Sequence, residues 1–235
     1  MFAGPNGSGK STLKTILPAK YLGVYINPDE IEQKLHAAGE LNLSEFGVFT
    51  DLQTVREFFQ RSAFLQQIGM QRVSEMILFG EGKLTVPSSE INAYVASVIA
   101  DFIRKQLLSI KADFTFETVM SSKDKVELMQ QAQGIGYRTY LYFIATDDPE
   151  INITRVKSRV MQGGHPVPDD KVKSRYFRSL ELLKEAIKFT NRAYIFDNSS
   201  DGKEINWFAE VTDASQLEFK TDFVPGWFKG CMLGF

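Results

Sequence analysis

The sequence predicts a three-layer α/β fold of the P-loop NTPase kind, a mostly parallel sheet with helices on both faces plus a helical insertion. Three observations carry this. Gly4-Pro5-Asn6-Gly7-Ser8-Gly9-Lys10-Ser11 satisfies the phosphate-loop pattern GxxxxGK[ST] at every fixed position. Short apolar runs at 23–26, 114–117, 137–145 and 193–197 alternate with helical patterns, as parallel strands joined by crossover helices do. The chain has 235 residues, 43% of them hydrophobic, enough to bury a core as one domain, 1–235, carrying an insertion.

The loop comes first. Its glycines allow positive φ and let consecutive N–H groups approach an anion. Lys10 can then reach the β- and γ-phosphates of a nucleoside triphosphate, Ser11 can hold Mg²⁺, and a helix beginning near Lys10 points its positive end at the phosphates. Only Met1, Phe2 and Ala3 precede the loop, so the first strand is expected to be short, or the natural start to lie upstream. Residues 11–17 read as a short helix stopped by Pro18, and 23–26 as a buried strand. Asn27, Pro28 and Glu30 then suit the N-cap, first position and capping acid of a helix. Asp29 is the residue that scheme leaves over, at the C-terminal end of a strand, where open α/β sheets bind ligands.

The alternation pauses over about 39–87. Val55, Phe58, Leu65 and Ile68, then Val73, Met76 and Ile77, read as two helices with a break at Gly69, forming a helical insertion or cap. A third helix is expected from Ser88 or Ser89, burying Ile91, Val95, Val98 and Phe102. The alternation resumes with strand 114–117, helix 122–133 closed by Gly134 and Gly136, strand 137–145, helix 148–162, a Gly-Gly-His-Pro-Val-Pro loop and helix 170–189. The last helix should bury Val172, Tyr176, Leu180, Leu183 and Ile187. Strand 193–197 and a small edge hairpin near 207–211 and 217–220 complete the chain.

Four arginines fall on the hairpin of about 150–182. Arg155 and Arg159 are four apart on one helix, and Arg175 and Arg178 three apart on the next. The turn between would bring both pairs to one end, making a cationic lid suited to charge on a transferring phosphoryl group; two solvated helix faces would use the same residues. Glu117, ending a strand, is placed for a substrate hydroxyl or a water on Mg²⁺, and His165 either contacts substrate phosphate or braces its turn. Asp197 and Asn198, past the last strand, either approach adenine and ribose or, for Asp197, answer a loose Walker B pattern.

Composition narrows the class. A formal charge of −2 gives no general attraction to polyanions, so nucleic acid is not the expected partner. Cys231 is the only cysteine, which rules out an intramolecular disulfide and a thiolate cluster. No cationic leader with an apolar core and no membrane-length apolar run is present; a cytoplasmic protein is expected. The absence of DxxG, NKxD and LSGGQ-like motifs disfavours GTPases and transport ATPases, leaving a small kinase-like fold.

Taken together, the chain resembles the zeta toxin family of P-loop small-molecule kinases, in its branch of bacterial predicted ATPases. The residues that carry the resemblance run from Phe2 through the loop to Ser11 and Thr12, then Ile26 to Glu30 and Phe114 to Thr118. They continue through Arg155 to Arg159, Gly163 to Pro168, Arg175-Tyr176 and Asp197-Asn198-Ser199. The resemblance implies that Asp29 is the general base on a substrate hydroxyl, that Glu117 contacts substrate and that lid arginines clamp phosphates. It also implies ATP, Mg²⁺, a UDP-N-acetyl-aminosugar as acceptor and a small antitoxin partner. Two departures are visible: the 39–87 insertion falls where substrate is expected, and His165 stands where the toxins carry a lid arginine. The expected function is thus γ-phosphoryl transfer from ATP to a small-molecule hydroxyl. A nucleotide-dependent switch protein and a polynucleotide 5′-kinase are the alternatives.

Overall fold

The structure is a computed structural model; it describes every residue except His165, Asp201, Lys203, Gly234 and Phe235, and every described side chain except those of Ile16 and Leu233. The chain divides into two compact units, Met1–Pro18 with Glu117–Phe235, and the intervening Ala19–Phe116.

The first unit opens with β1 (Phe2–Ala3), the P-loop and α1 (Lys10–Ile16), which ends as expected before Pro18. The second unit begins with β2 (Val24–Ile26) and α2 (Pro28–Ala38). Asn27 is the cap of α2, its Oδ1 accepting from the Asp29 N–H at 3.0 Å, and Pro28 takes the first position, where no N–H is required. The strand is less buried than its apolar character suggested: Val24 and Tyr25 are half-buried, because β2 is the last strand of its sheet.

The stretch 39–87 holds more than helices. It contains α3 (Leu52–Gln60), α4 (Ala63–Gln67) and α5 (Val73–Met76), with Gly69 between the last two as expected, but also β3 (Glu40–Asn42), β4 (Leu78–Gly80) and β5 (Lys83–Thr85). These strands make an antiparallel sheet in the order β3-β5-β4, burying Leu41 and Leu84. Glu81 and Gly82 turn β4 into β5 with φ of 51° and 77°, the two positive values a type I′ hairpin needs. Helix α6 (Ala93–Ser109) follows, capped by Asn92 rather than Ser88 or Ser89, which fall in a 3₁₀ turn, Ser88–Glu90. Its expected stripe is buried throughout, and α2 packs on it.

Strand β6 (Phe114–Thr118) begins in the second unit, where Val24 registers with Phe114, and ends in the first, where Phe2 registers with Glu117. There follow α7 (Asp124–Gly134), β7 (Tyr140–Ala145), α8 (Pro149–Met161), α9 (Asp169–Ile187), β8 (Arg192–Asp197), β9 (Asn206–Thr212) and β10 (Gln216–Phe219). Strand β7 starts three residues later than expected, since the Tyr137 N–H still bonds the Ala132 carbonyl at the end of α7. The seven strands run β10-β9-β8-β7-β1-β6-β2, parallel from β8 to β2, with β9 antiparallel to both β8 and β10 at the edge. Alternate residues Leu141, Phe143 and Ala145 of β7 are fully buried, as one face of a covered strand must be. Within the first unit β1 is flanked by β6 and β7. The strand order therefore reverses direction at β1, the switch point where such sheets bind ligands.

Candidate active site

The P-loop leaves β1 at that switch point, and its shape is fixed by close contacts that only glycine permits. A Cβ on Gly4 would lie 2.0 Å from the Ile144 carbonyl oxygen, and one on Gly9, where φ is 103°, 2.5 Å from Nδ2 of Asn198. Two asparagines from the later half of the chain hold the loop. Asn152 on α8 donates from Nδ2 to the Asn6 carbonyl at 2.6 Å, and Asn198 past β8 donates from Nδ2 to the Ser8 carbonyl at 2.8 Å. Engaging these carbonyls fixes the peptide planes whose N–H groups must serve an anion.

Lys10 is 8% exposed, and its ammonium donates to the Gly4 and Pro5 carbonyls, each at 2.8 Å. The charge is thereby kept at its own loop. Ser8 is fully buried, yet its Oγ, like Oδ1 of Asn6, has no hydrogen-bond partner among the described residues. A buried hydroxyl without an acceptor is costly unless a ligand supplies one, so the Ser8 hydroxyl fits a phosphate-bearing group. Ser11 and Thr12 form the exposed first turn of α1. Among the described residues no cluster of three or more His, Cys, Asp or Glu could hold a metal. An Mg²⁺ would here be held through Ser11 and phosphate oxygens, the arrangement this ion ordinarily takes.

A second tier of bonds supports the asparagines. The Thr146 hydroxyl donates to Oδ1 of Asn152, and the buried Tyr176 hydroxyl donates to the Thr146 carbonyl at 2.5 Å. Burial, with the Asp147 and Asp148 charges behind it, raises the Tyr176 pKa well above the ordinary phenol value. Arg155 donates from Nη1 to the Asn198 carbonyl at 2.7 Å, so it braces the residue that braces the loop.

The other expected residues are distributed as follows. Glu117 is half-buried at the end of β6, in register with Phe2 two residues before the loop. Helices α8 and α9 form the expected hairpin, packed through Ile153, Val156, Val172 and Val167 and bridged by Lys157 to Asp169 at 2.6 Å. Arg175 is half-buried, Arg159 and Arg178 are exposed, and Nε of Arg178 donates to the Ser174 carbonyl of its own helix. His165 lies outside the described residues. Asp197 is taken up by the protein: Oδ1 accepts from the Trp227 indole at 2.9 Å and the Ser199 hydroxyl at 2.7 Å, and Oδ2 accepts from the Ser199 N–H. Asp29 belongs to the second unit, exposed in the first turn of α2. Asn152 was missed, and the sequence offered one weak sign, an amide on the buried stripe of α8 beside Ile153.

A glycine-shaped anion loop ending in lysine and serine, leaving the central strand of a mostly parallel sheet at its switch point, defines a P-loop nucleotide-binding protein. The zeta toxin family model matches residues 86–203, half of the chain, and the chain belongs to that family. The matched stretch includes Glu117, Asn152, Asn198 and all four arginines, and leaves the P-loop and Asp29 outside it. An uncharacterized protein of Haemophilus influenzae is 36% identical over 63 residues, 27% of this chain and 45% of the relative. A chain of the AvrRxo1-ORF1:AvrRxo1-ORF2 complex, crystallised with sulphate ions, superposes with a TM-score of 0.52 at 17% identity, covering 93% of this chain and 60% of that one. The latter likeness is one of fold. The chain spans about half the length of the curated relative and under two thirds of the structural one.

Proposed function

We propose that this protein is an ATP-dependent kinase that transfers the γ-phosphoryl group to a hydroxyl of a small molecule, a UDP-N-acetyl-aminosugar being the acceptor the family reading favours. The observation that carries it is the braced P-loop, with buried Lys10 and an orphaned Ser8 hydroxyl. Residues 4–12 bind the triphosphate, with Asn198 holding their backbone. Lys10 neutralises charge on the β- and γ-phosphates. Mg²⁺, held with the help of Ser11, supplies further neutralisation of the phosphate oxygens when bound.

Asp29 serves as general base in this reading. Its backbone is fixed by the Asn27 cap and its carboxylate is exposed. The acceptor hydroxyl gives its proton to that carboxylate as its oxygen bonds the γ-phosphorus. The bond from the γ-phosphorus to the bridging oxygen breaks, and ADP leaves with the electron pair. Glu117 binds the acceptor, and Arg155, Arg159, Arg175 and Arg178 form the lid, with His165 as a further acceptor contact. No helix among the described residues is long and apolar enough to cross a membrane; a cytoplasmic enzyme, where ATP is abundant, agrees with this. The AvrRxo1-ORF1 complex contains a second protein, AvrRxo1-ORF2, which favours an antitoxin-like partner here also.

The test starts from labelled ATP and a cell metabolite extract, identifying whatever acquires label. On that acceptor Asp29→Asn keeps size but removes the base, and transfer should fall by about 10² to 10⁴-fold with ATP affinity unchanged. Transfer at the wild-type rate would move the role to Glu30 or Glu117. Bound nucleotide without any labelled product would favour the switch reading.

A further inference from the structure

Trp227 sits in a single helical turn near the C-terminus, α10 (Gly226–Phe228), far in sequence from every residue assigned above. It is 6% exposed, with ring centroids 5.9, 5.8 and 5.7 Å from those of Phe143, Phe208 and Phe228. Packing alone would account for a buried aromatic. It would not account for both of its N–H groups, each of which is aimed at a carboxylate.

The indole Nε1 donates to Oδ1 of Asp197 at 2.9 Å, and the backbone N–H donates to Oδ1 of Asp147 at 3.3 Å. Between these carboxylates the circuit closes through Ser199, whose hydroxyl donates to Asp197 at 2.7 Å and accepts from the Asp147 N–H at 2.9 Å. Four residues, Trp227, Asp197, Ser199 and Asp147, thus form a closed ring joining the ends of β7 and β8 to the C-terminal turn. Asn198, which holds the Ser8 carbonyl, lies in the chain between two ring members. Its own N–H bonds the Ala145 carbonyl at 2.9 Å, and its carbonyl takes Arg155. The other P-loop brace, Asn152, is held by Thr146, the neighbour of ring member Asp147. A ring with no slack at either flank leaves Asn198 little freedom to withdraw from the loop.

We propose that Trp227 is a positioning residue for nucleotide binding, acting through the ring to hold Asn198 on the P-loop, so that the C-terminal turn tunes affinity for ATP. This rests on the P-loop binding ATP, and assigns Asp197 to the ring rather than to the nucleotide. A charge-assisted bond from an indole to a buried carboxylate is among the stronger tethers a neutral side chain can make.

The experiment uses Trp227→Phe, which keeps the aromatic packing and deletes the indole donor, with Ser199→Ala as a second way of opening the ring outside the aromatic core. ATP affinity is measured by calorimetry and P-loop mobility by amide hydrogen exchange of residues 4–11 in the ligand-free protein. Either variant should weaken ATP binding by about two- to tenfold, the range spanned by the net worth of one hydrogen bond, and should speed exchange of the loop. In an Asn198→Ala background the same changes should have no further effect, because the route is already cut. Trp207→Phe on β9 should change neither quantity. Unchanged affinity and exchange in both ring variants overturn the proposal, as does an effect that persists undiminished without the Asn198 side chain. A wild-type protein that fails to bind ATP sinks the kinase reading, and loop exchange then decides the positioning role by itself.

Discussion

A lysine ammonium 8% exposed is expensive unless something repays its desolvation, and Lys10 is supported by two carbonyls of its own loop. Lys10→Ala should therefore leave a folded protein while removing most ATP affinity, because the substitution deletes the charge that meets the β- and γ-phosphates. Calorimetry with ATP on the folded variant checks this, and wild-type affinity would show the loop to be ornamental. Asn152 should behave differently. Its side chain is fully buried and serves both the Asn6 carbonyl and the Thr146 hydroxyl, so Asn152→Ala should cost about 1–3 kcal/mol of stability and loosen ATP as well, read from denaturant unfolding alongside calorimetry. The glycines, Lys10 and Ser11 were legible in the sequence because a P-loop packs its chemistry into eight consecutive positions. Asn152 was not, because the carbonyl it serves is 146 residues away, and no local pattern records such a bond.

At the scale of elements, legibility followed length. Helices α6 and α9, of 17 and 19 residues, repeat their apolar stripe often enough to be read, and every residue expected in those stripes is buried. Strands β3, β4 and β5 have three residues each, too few for alternation to show, so the small antiparallel sheet was hidden among helical patterns. Its one local sign was the Gly80-Glu81-Gly82 turn. The α8–α9 hairpin was foreseen, but its four arginines are not equivalent. Arg155 reaches the Asn198 carbonyl, whereas Arg178 donates into its own helix from an exposed position. Arg155→Ala is expected to lower kcat for phosphoryl transfer and also weaken ATP, since it touches the loop's brace. Arg178→Ala should change stability by no more than about 0.5 kcal/mol, and its kcat decides whether an exposed arginine serves the lid. Steady-state kinetics on the two variants separate the roles; wild-type values for both would return Arg178 to a solvated face and leave Arg155 a structural bond to Asn198.

At the scale of the whole molecule, the residues proposed for catalysis are shared between two compact units: the P-loop, Glu117 and the arginines belong to the first, and Asp29 belongs to the second, Ala19–Phe116. The alternation of strands and helices announced the sheet but not this division, because β6 is continuous across the boundary and contributes to both units. The proposed kinase is tested with its two substrates in turn. ATP at about 100 times its Kd should stabilise the protein by about 2.7 kcal/mol, which for a chain of this size is a rise in Tm of about 5–11 °C. Lys10→Ala should abolish that rise. Amide hydrogen exchange then locates the effect. With ATP alone, protection should grow in the first unit, at residues 4–11 and around Asn152 and Asn198, while residues 27–30 of the second unit exchange as before. Adding the acceptor should protect residues 27–30, where Asp29 lies, because only the acceptor has business with a general base. The switch reading expects the reverse order, with ATP alone already altering exchange through 39–87, since arranging that segment for a partner would be its purpose. A Tm rise with ATP that Lys10→Ala retains would break the link between the loop and the nucleotide. Protection of residues 39–87 by ATP in the absence of any acceptor would decide for the switch over the kinase.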